Sequence, residues 1–121
     1  MTVDSARQAA ELLAPHIAGR RDGAVVVLHL DSDRRLIGTS LAESGQSGLP
    51  VRDILAAALK IGAEAVIIAL AHPTGDATPS GQDRDGCRRL ADAAAALGVR
   101  LTDVFIFAGE ACHSFRELGL L

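Results

Sequence analysis

One polar stretch of the sequence brings together three side chains of types that serve in acid–base, nucleophilic and metal chemistry. The segment AHPTGDATPSGQD, residues 71–83, carries His72, Ser80 and Asp83. It follows an apolar run and precedes a helical pattern, and Gly-, Pro- and Thr-rich segments in that position often carry functional residues. A serine followed three residues later by an acid is also the pattern of a helix N-cap, so capping is the competing explanation for Ser80 and Asp83.

The spacing predicts that Asp83 points into the protein. Ser80 is the expected N-cap of a helix from Gly81 to Leu97, which places Asp83 in the first turn. Asp83 lies at helical spacing from a stripe of apolar residues on one face of this helix. They are Cys87, Leu90, Ala94 and Leu97. We therefore expect the Asp83 carboxylate to lie beneath the loop that carries His72.

The elements around this loop predict a mixed sheet with helices on its faces. A first helix is expected after Asp4 and Ser5, ending at Gly19, and a second over Val51–Ile61 behind Pro50. Apolar runs predict five strands: Ala24–Leu30, Arg35–Leu41, Glu64–Leu70, Leu101–Phe107 and Cys112–Phe115. The order α-β-β-α-β-α-β-β indicates an α/β or α+β sandwich.

Composition limits the function classes. A chain of 121 residues, 49% hydrophobic and 22% charged, is expected to form a single domain, residues 1–121. With three Phe, no Tyr, no Trp and a net charge of −3, stacking on nucleic-acid bases and a general attraction to nucleic acid are not supported. Two cysteines are too few for a disulfide framework, and no signal peptide or apolar span is evident, so a cytoplasmic location is expected.

The motif and its surroundings resemble the C-terminal JAB domain, also called MPN or JAMM, of RadC-like proteins. The residues that carry the resemblance are His72-Pro73-Thr74-Gly75-Asp76, Pro79-Ser80-Gly81-Gln82-Asp83, the LHLD turn and the terminal SFRELGLL. The resemblance covers about residues 21–121. Residues 1–20 are expected to form one helix, and the helix-hairpin-helix region of full-length RadC proteins has no counterpart in this sequence. The fold it implies is a cytidine-deaminase-like α-β-α sandwich with a mixed central sheet.

The resemblance implies a zinc peptidase site, and this sequence departs from it. In the family two His and an Asp hold zinc, a Glu takes a proton from the bound water, and a Ser helps to hold the oxyanion. His72 and Asp83 match two ligands and Ser80 matches the serine, whereas the first His falls on Leu70 and the Glu near Gly23. Asp22 is one residue out of register for a replacement base, and the family's Asp-His pair becomes Asp103-Val104.

These departures predict a domain without zinc and without peptidase activity, kept as an interaction or regulatory module. The alternative is a JAMM-type zinc metallopeptidase in which His72, Asp83 and another donor hold the metal. Cys87 could supply that donor, but a small buried cysteine is the simpler explanation. Replacing Leu70 with His and Gly23 with Glu is expected to rebuild the zinc site.

Other polar residues have simpler explanations. We expect His29 to be a satisfied core or edge residue, and neither His16 nor His113 has partners at ligand spacing. The arginines of the third helix are interleaved with acids, as on a solvated face. A protein partner or self-association is expected and a membrane is not, and the DNA-repair label of RadC proteins attaches by resemblance alone.

Overall fold

The sheet at the centre of the protein is built from five strands, whose bounds come from a computed structural model that describes residues 1–45, 48–72 and 76–121. The strands are β1 (Ala24–Leu30), β2 (Leu36–Glu43), β3 (Ala65–Ala71), β4 (Arg100–Ala108) and β5 (Ala111–Ser114). The helices are α1 (Ala6–Ile17), α2 (Val51–Ile61) and α3 (Gly81–Ala96). The order matches the predicted α-β-β-α-β-α-β-β.

The strands lie in the order β2-β1-β3-β4-β5 and form a mixed sheet, as predicted. β1 pairs antiparallel with both β2 and β3, β3 pairs parallel with β4, and β4 pairs antiparallel with β5. The parallel β3–β4 pair is connected through α3, because parallel neighbours need a long crossover. Since β3 is the central strand, the chain that follows its last residue leaves the sheet between the ends of β1 and β4.

Helices cover both faces of the sheet, which explains why β1 and β3 are apolar along almost their whole length. One core lies under α2 and α3 and includes Val27, Ile68 and Leu90. The other lies under α1 and includes Leu13, Leu28 and Phe105. The predicted sandwich with a mixed central sheet is confirmed.

Local differences from the predicted elements have local causes. α3 ends at Ala96, and Leu97 is its C-cap with 49% of its surface exposed, so the prediction that Leu97 belongs to the buried stripe is wrong. The stripe holds for Cys87, Leu90 and Ala94, because these residues precede the point where the helix unwinds. β2 starts and ends later than expected, since Arg35 is held in the turn by Asp31.

Candidate functional site

His72 stands directly after the end of β3, where the sequence leaves the sheet. Its backbone N–H donates to the carbonyl of Phe107 over 2.9 Å, so β4 fixes the backbone at this point. The side chain is only 16% exposed. The parallel pairing of β3 and β4 thus holds the imidazole in a defined position although the chain is already leaving the sheet. Residues 73–75 of the predicted motif lie outside the described residues.

Ser80 and Asp83 form the predicted cap of α3, and both bonds of a capping box are present. The Ser80 hydroxyl accepts from the Asp83 N–H at 3.0 Å, and the Asp83 carboxylate accepts from the Ser80 N–H at 3.0 Å. These bonds satisfy two backbone donors that a helix start would leave without partners. Capping therefore accounts for the spacing of Ser80 and Asp83.

The structure brings His72 and Asp83 together, as the inward direction of Asp83 predicts. His72 Nε2 lies 2.7 Å from Asp83 Oδ2, the same oxygen that accepts from the Ser80 N–H. The contact ties the end of β3 to the start of α3. The two side chains that match zinc ligands by resemblance are thus in direct contact with each other.

Leu70, at the position where the resemblance implies the first zinc-binding His, is part of the core. It lies on β3 two residues before His72. Because the His72 N–H still bonds to β4, the alternation of the strand directs both side chains to one face of the sheet. Leu70 is 4% exposed, lies between Val25 and Ile106 in the sheet and belongs to the apolar cluster under α3 that also contains Cys87. An isobutyl group there fills space and offers no lone pair.

The backbone at Gly23 is specific to glycine. Its N–H donates to the Ala71 carbonyl over 3.2 Å, and its carbonyl accepts from Ser44 at 2.7 Å, so Gly23 does lie beside the end of β3. Its φ is +88°, a conformation that residues with a Cβ rarely adopt. A glutamate at Gly23 would be strained, which makes Leu70→His alone the better restoration, and Asp22 beside it is exposed.

Two further polar side chains, His113 and Asp76, lie at the loop between His72 and α3. His113 on β5 places Nδ1 3.2 Å from the carbonyl of Ala77, a contact across 36 residues that no sequence spacing reveals. Hydrogen bonds from Thr78 lower the pKa of Asp76 below its ordinary value, and the nearby His72 and His113 add to this effect. The hairpin of β4 and β5 thus brings a second imidazole to the neighbourhood of the site.

Cys87 lies one helical turn beyond Asp83 and is buried. Burial raises the pKa of its thiol to about 12, and the nearby Asp83 carboxylate adds to the shift. A thiol with so high a pKa is a poor source of the thiolate that binds metals. The simpler explanation of Cys87 as a core residue agrees with its 2% exposure.

These donors do not fit a catalytic zinc ion, which takes three protein ligands and a water. Among residues 1–45, 48–72 and 76–121, no group of three or more His, Cys, Asp or Glu side chains is placed to hold a metal ion. The sequence of residues 73–75 is Pro-Thr-Gly, which contributes no imidazole, thiolate or carboxylate. His72 and Asp83 supply two donors, one fewer than a catalytic zinc ion takes from its protein.

The sequence did not reveal the role of Asp103. Its side chain is 4% exposed and accepts from the Ser114 hydroxyl at 2.5 Å and from the backbone N–H of Val104 and Arg116 at 2.7 and 3.1 Å. Asp103 therefore joins β4 to the end of β5 and the C-terminal turn. Its partners lie up to 13 residues away, so only the hairpin fold identifies it as a structural residue.

His29 departs from the expected satisfied state. It is completely buried on β1, and Nε2 lies 2.8 Å from the Ser40 hydroxyl on β2. Nδ1 has no hydrogen-bond partner among the described residues. Burial lowers the pKa of His29 below its ordinary value. His29 is thus a core residue with one unsatisfied nitrogen, and not a ligand.

Comparison with known protein families agrees with the fold and the motif. The family model of the RadC-like JAB domain matches residues 3–120. The chain belongs to the RadC-like JAB domain family. The match begins at residue 3, so α1 lies within this domain although the sequence resemblance starts near residue 21. The helical segment at the start of the chain is therefore an integral layer of the JAB sandwich.

Relatives of this RadC-like domain occur in several bacteria. The UPF0758 protein of Pelodictyon phaeoclathratiforme is 30% identical over 98% of this chain and 55% of its own length. That of Carboxydothermus hydrogenoformans is 41% identical over 74% of the chain and 41% of its own length, and that of Vibrio cholerae is 40% identical over 78% and 62%. The chain spans about half the length of the curated relatives it matches. No helix in the described part of the chain is long and apolar enough to cross a membrane.

Proposed function

We propose that this chain is a RadC-like JAB domain that has lost its zinc ion and its peptidase activity and acts as an interaction or regulatory module. The observation that carries the proposal is Leu70, which is buried in the apolar core where the resemblance implies a zinc-binding His. A leucine side chain cannot bind a metal, and its burial in an apolar cluster is typical of a core residue.

The residues that survive from the motif have structural roles that need no metal. Ser80 and Asp83 cap α3, and His72 joins that cap to the end of β3. Such roles would retain these residues after catalysis is lost. The glycine-specific backbone at Gly23 supports the same proposal, since the position implied for the catalytic Glu now favours a residue without a side chain.

Zinc content tests the proposal most directly. The full chain, purified without an affinity tag, is incubated with zinc, dialysed and analysed by mass spectrometry for metal. We expect far less than one zinc ion per chain and no cleavage of peptide or isopeptide substrates. Stoichiometric zinc that resists dialysis, together with cleavage, would overturn the proposal in favour of a metallopeptidase with an altered ligand set.

The variant Leu70→His sharpens this test. It places a second imidazole on the face of β3 that carries His72 and completes three donors with Asp83, so we expect it to bind zinc. The matched control is Leu70→His with His72→Ala, which has the same new histidine but one ligand fewer and should not bind zinc. If the folded Leu70→His variant stays free of zinc, Leu70 is not what separates this pocket from a three-ligand site.

A further inference from the structure

The two margins of the sheet are protected to very different degrees. β5 forms one margin, spans only four residues and is followed at once by a turn in which Phe115 N–H donates to the Val104 carbonyl. β2 forms the other margin and spans eight residues. Natural proteins shorten, charge or cover such edges because an open edge recruits another strand. β5 is protected in this way, whereas β2 is long.

The open side of β2 lacks the usual protective residues. From Leu36 to Ala42 the sequence LIGTSLA contains no charged residue and no proline. Within residues 1–45, 48–72 and 76–121, backbone hydrogen bonds reach its outer side only at the start, where Thr2 bridges Arg35 and the Leu36 N–H donates to Met1. In the described part of the chain, no backbone hydrogen bond covers the outer side of the remainder of the strand, from residue 37 to residue 43.

One face of this strand also exposes apolar side chains. α1 packs mainly on β1, β3 and β4, away from the β2 edge of the sheet. Ile37 and Leu41 on β2 are 41% and 54% exposed, and Thr39 between them is exposed as well. The open backbone edge and an apolar stripe therefore coincide on the same strand.

The register identifies which backbone groups face outward. The Ser44 N–H donates to the Gly23 carbonyl, and β1 and β2 are paired without a shift from this point to His29. Inward and outward groups alternate along an antiparallel pair, so the N–H and C=O groups of Thr39, Leu41 and Glu43 face away from β1. These three residues present six hydrogen-bonding groups to a partner strand.

We propose that β2 pairs antiparallel with β2 of a second copy of this chain, around a two-fold axis at Leu41. In this register Leu41 lies opposite its own symmetry mate, and Thr39 lies opposite Glu43 of the second copy. All six outward backbone groups of each copy then form hydrogen bonds. The exposed side chains of Thr39, Leu41 and Glu43 lie on the same face of the joined sheet in both copies. The part of the edge that Thr2 covers stays outside the contact.

The sequence of β2 favours a second copy over an unrelated strand. No like charges meet, because Glu43 faces the hydroxyl of Thr39 and the stretch from Leu36 to Ala42 is uncharged. The two Leu41 side chains cover each other, which removes exposed apolar surface from both copies. Self-pairing is independent of the proposed loss of zinc, since β1 separates β2 from the strand that leads to His72.

Sedimentation of the full chain over a range of concentrations tests the proposal. We expect a monomer–dimer equilibrium for the natural sequence and a monomer for Leu41→Glu, which would place two carboxylates against each other. The matched control is Leu59→Glu on α2, because Leu59 is also 54% exposed and lies outside the contact. A natural chain that is monomeric at every concentration, or a control that dissociates as Leu41→Glu does, would overturn the proposal.

Hydrogen exchange identifies the surface without a mutation. In concentrated samples the amides of Thr39, Leu41 and Glu43 should exchange at least about tenfold more slowly than in dilute samples. A dimer whose β2 amides exchange equally fast at both concentrations would use another surface and contradict the proposal. Thr39→Pro gives a second variant: its N–H faces outward, so the proline should leave β1–β2 pairing intact and abolish the dimer.

Discussion

Two carboxylates, Asp83 and Asp103, hold the protein together by similar bonds in very different surroundings. Asp83 is 20% exposed in its side chain and joins Ser80 and His72 at the open end of β3. Asp103 is buried and joins Ser114 and the Arg116 backbone inside the β4–β5 hairpin. Each carboxylate ties the end of one element to another. A carboxylate can therefore join two elements of the fold in a partly open pocket as well as in a buried one.

Removing Asp103 should have the largest effect on stability. Asp103→Ala leaves the Ser114 hydroxyl and two backbone donors without their acceptor in a buried site, and we expect a loss of about 3 kcal/mol in the free energy of unfolding. Chemical denaturation monitored by circular dichroism measures this. A loss below about 1 kcal/mol would show that water replaces the carboxylate and that Asp103 is not more important than Asp83.

Removing Asp83 should lower the free energy of unfolding by less than removing Asp103, because the surroundings of Asp83 are partly open to water. Asp83→Ala deletes one half of the capping box and the partner of His72, with an expected loss of about 1.5 kcal/mol. The double-mutant cycle with His72→Ala isolates their direct contact, for which we expect a coupling of about 1 kcal/mol. A coupling near zero would mean that the 2.7 Å contact does not stabilise the fold and that capping alone retains Asp83.

The smallest expected effect concerns His29, a buried side chain in which one ring nitrogen has no hydrogen-bond partner among the described residues. Burial lowers the pKa of His29 from 6.5, so the unfolded chain takes up a proton more readily than the folded protein. Stability is therefore complete above the ordinary histidine pKa and falls as the pH drops through it. His29→Gln keeps a side-chain amide near Ser40 but cannot titrate, and the fall between pH 7.5 and pH 5, about the range where histidine titrates, should be smaller in this variant.

An equal pH dependence in both proteins would show that His29 is not the source of the effect. The remaining histidines are unchanged in His29→Gln, so the difference between the two stability curves isolates His29. Thermal unfolding at matched pH values is sufficient for this comparison.

Much of the fold follows from the sequence because its elements are strongly patterned. The runs at Ala24–Leu30 and Val51–Ile61 match β1 and α2 residue for residue, since continuous apolar strands and proline-led helices give clear local signals. The contact of Asp83 with His72 followed from helical spacing. The exposure of Leu97 did not, because it depends on where the last turn of α3 ends.

The parts of the site that the sequence could not predict depend on pairing between distant segments. His113 reaches Ala77, and Ser114 reaches Asp103, only because β5 folds back on β4. The left-handed backbone at Gly23 likewise lies between hydrogen bonds to Ala71, the last residue of β3, and to Ser44, directly after β2. The spacing of residues along the chain does not predict such contacts.

The central position of β3 also determines the order in which the protein can be completed during synthesis. β1, β2 and β3 lie within the first 71 residues and can pair antiparallel as soon as they leave the ribosome. The second neighbour of β3 is β4, which begins at Arg100 and must wait for the whole of α3. Because the His72 N–H is bonded to Phe107, this part of the candidate site needs β4 to be synthesised, whereas the β1–β2 hairpin needs only the residues up to Glu43.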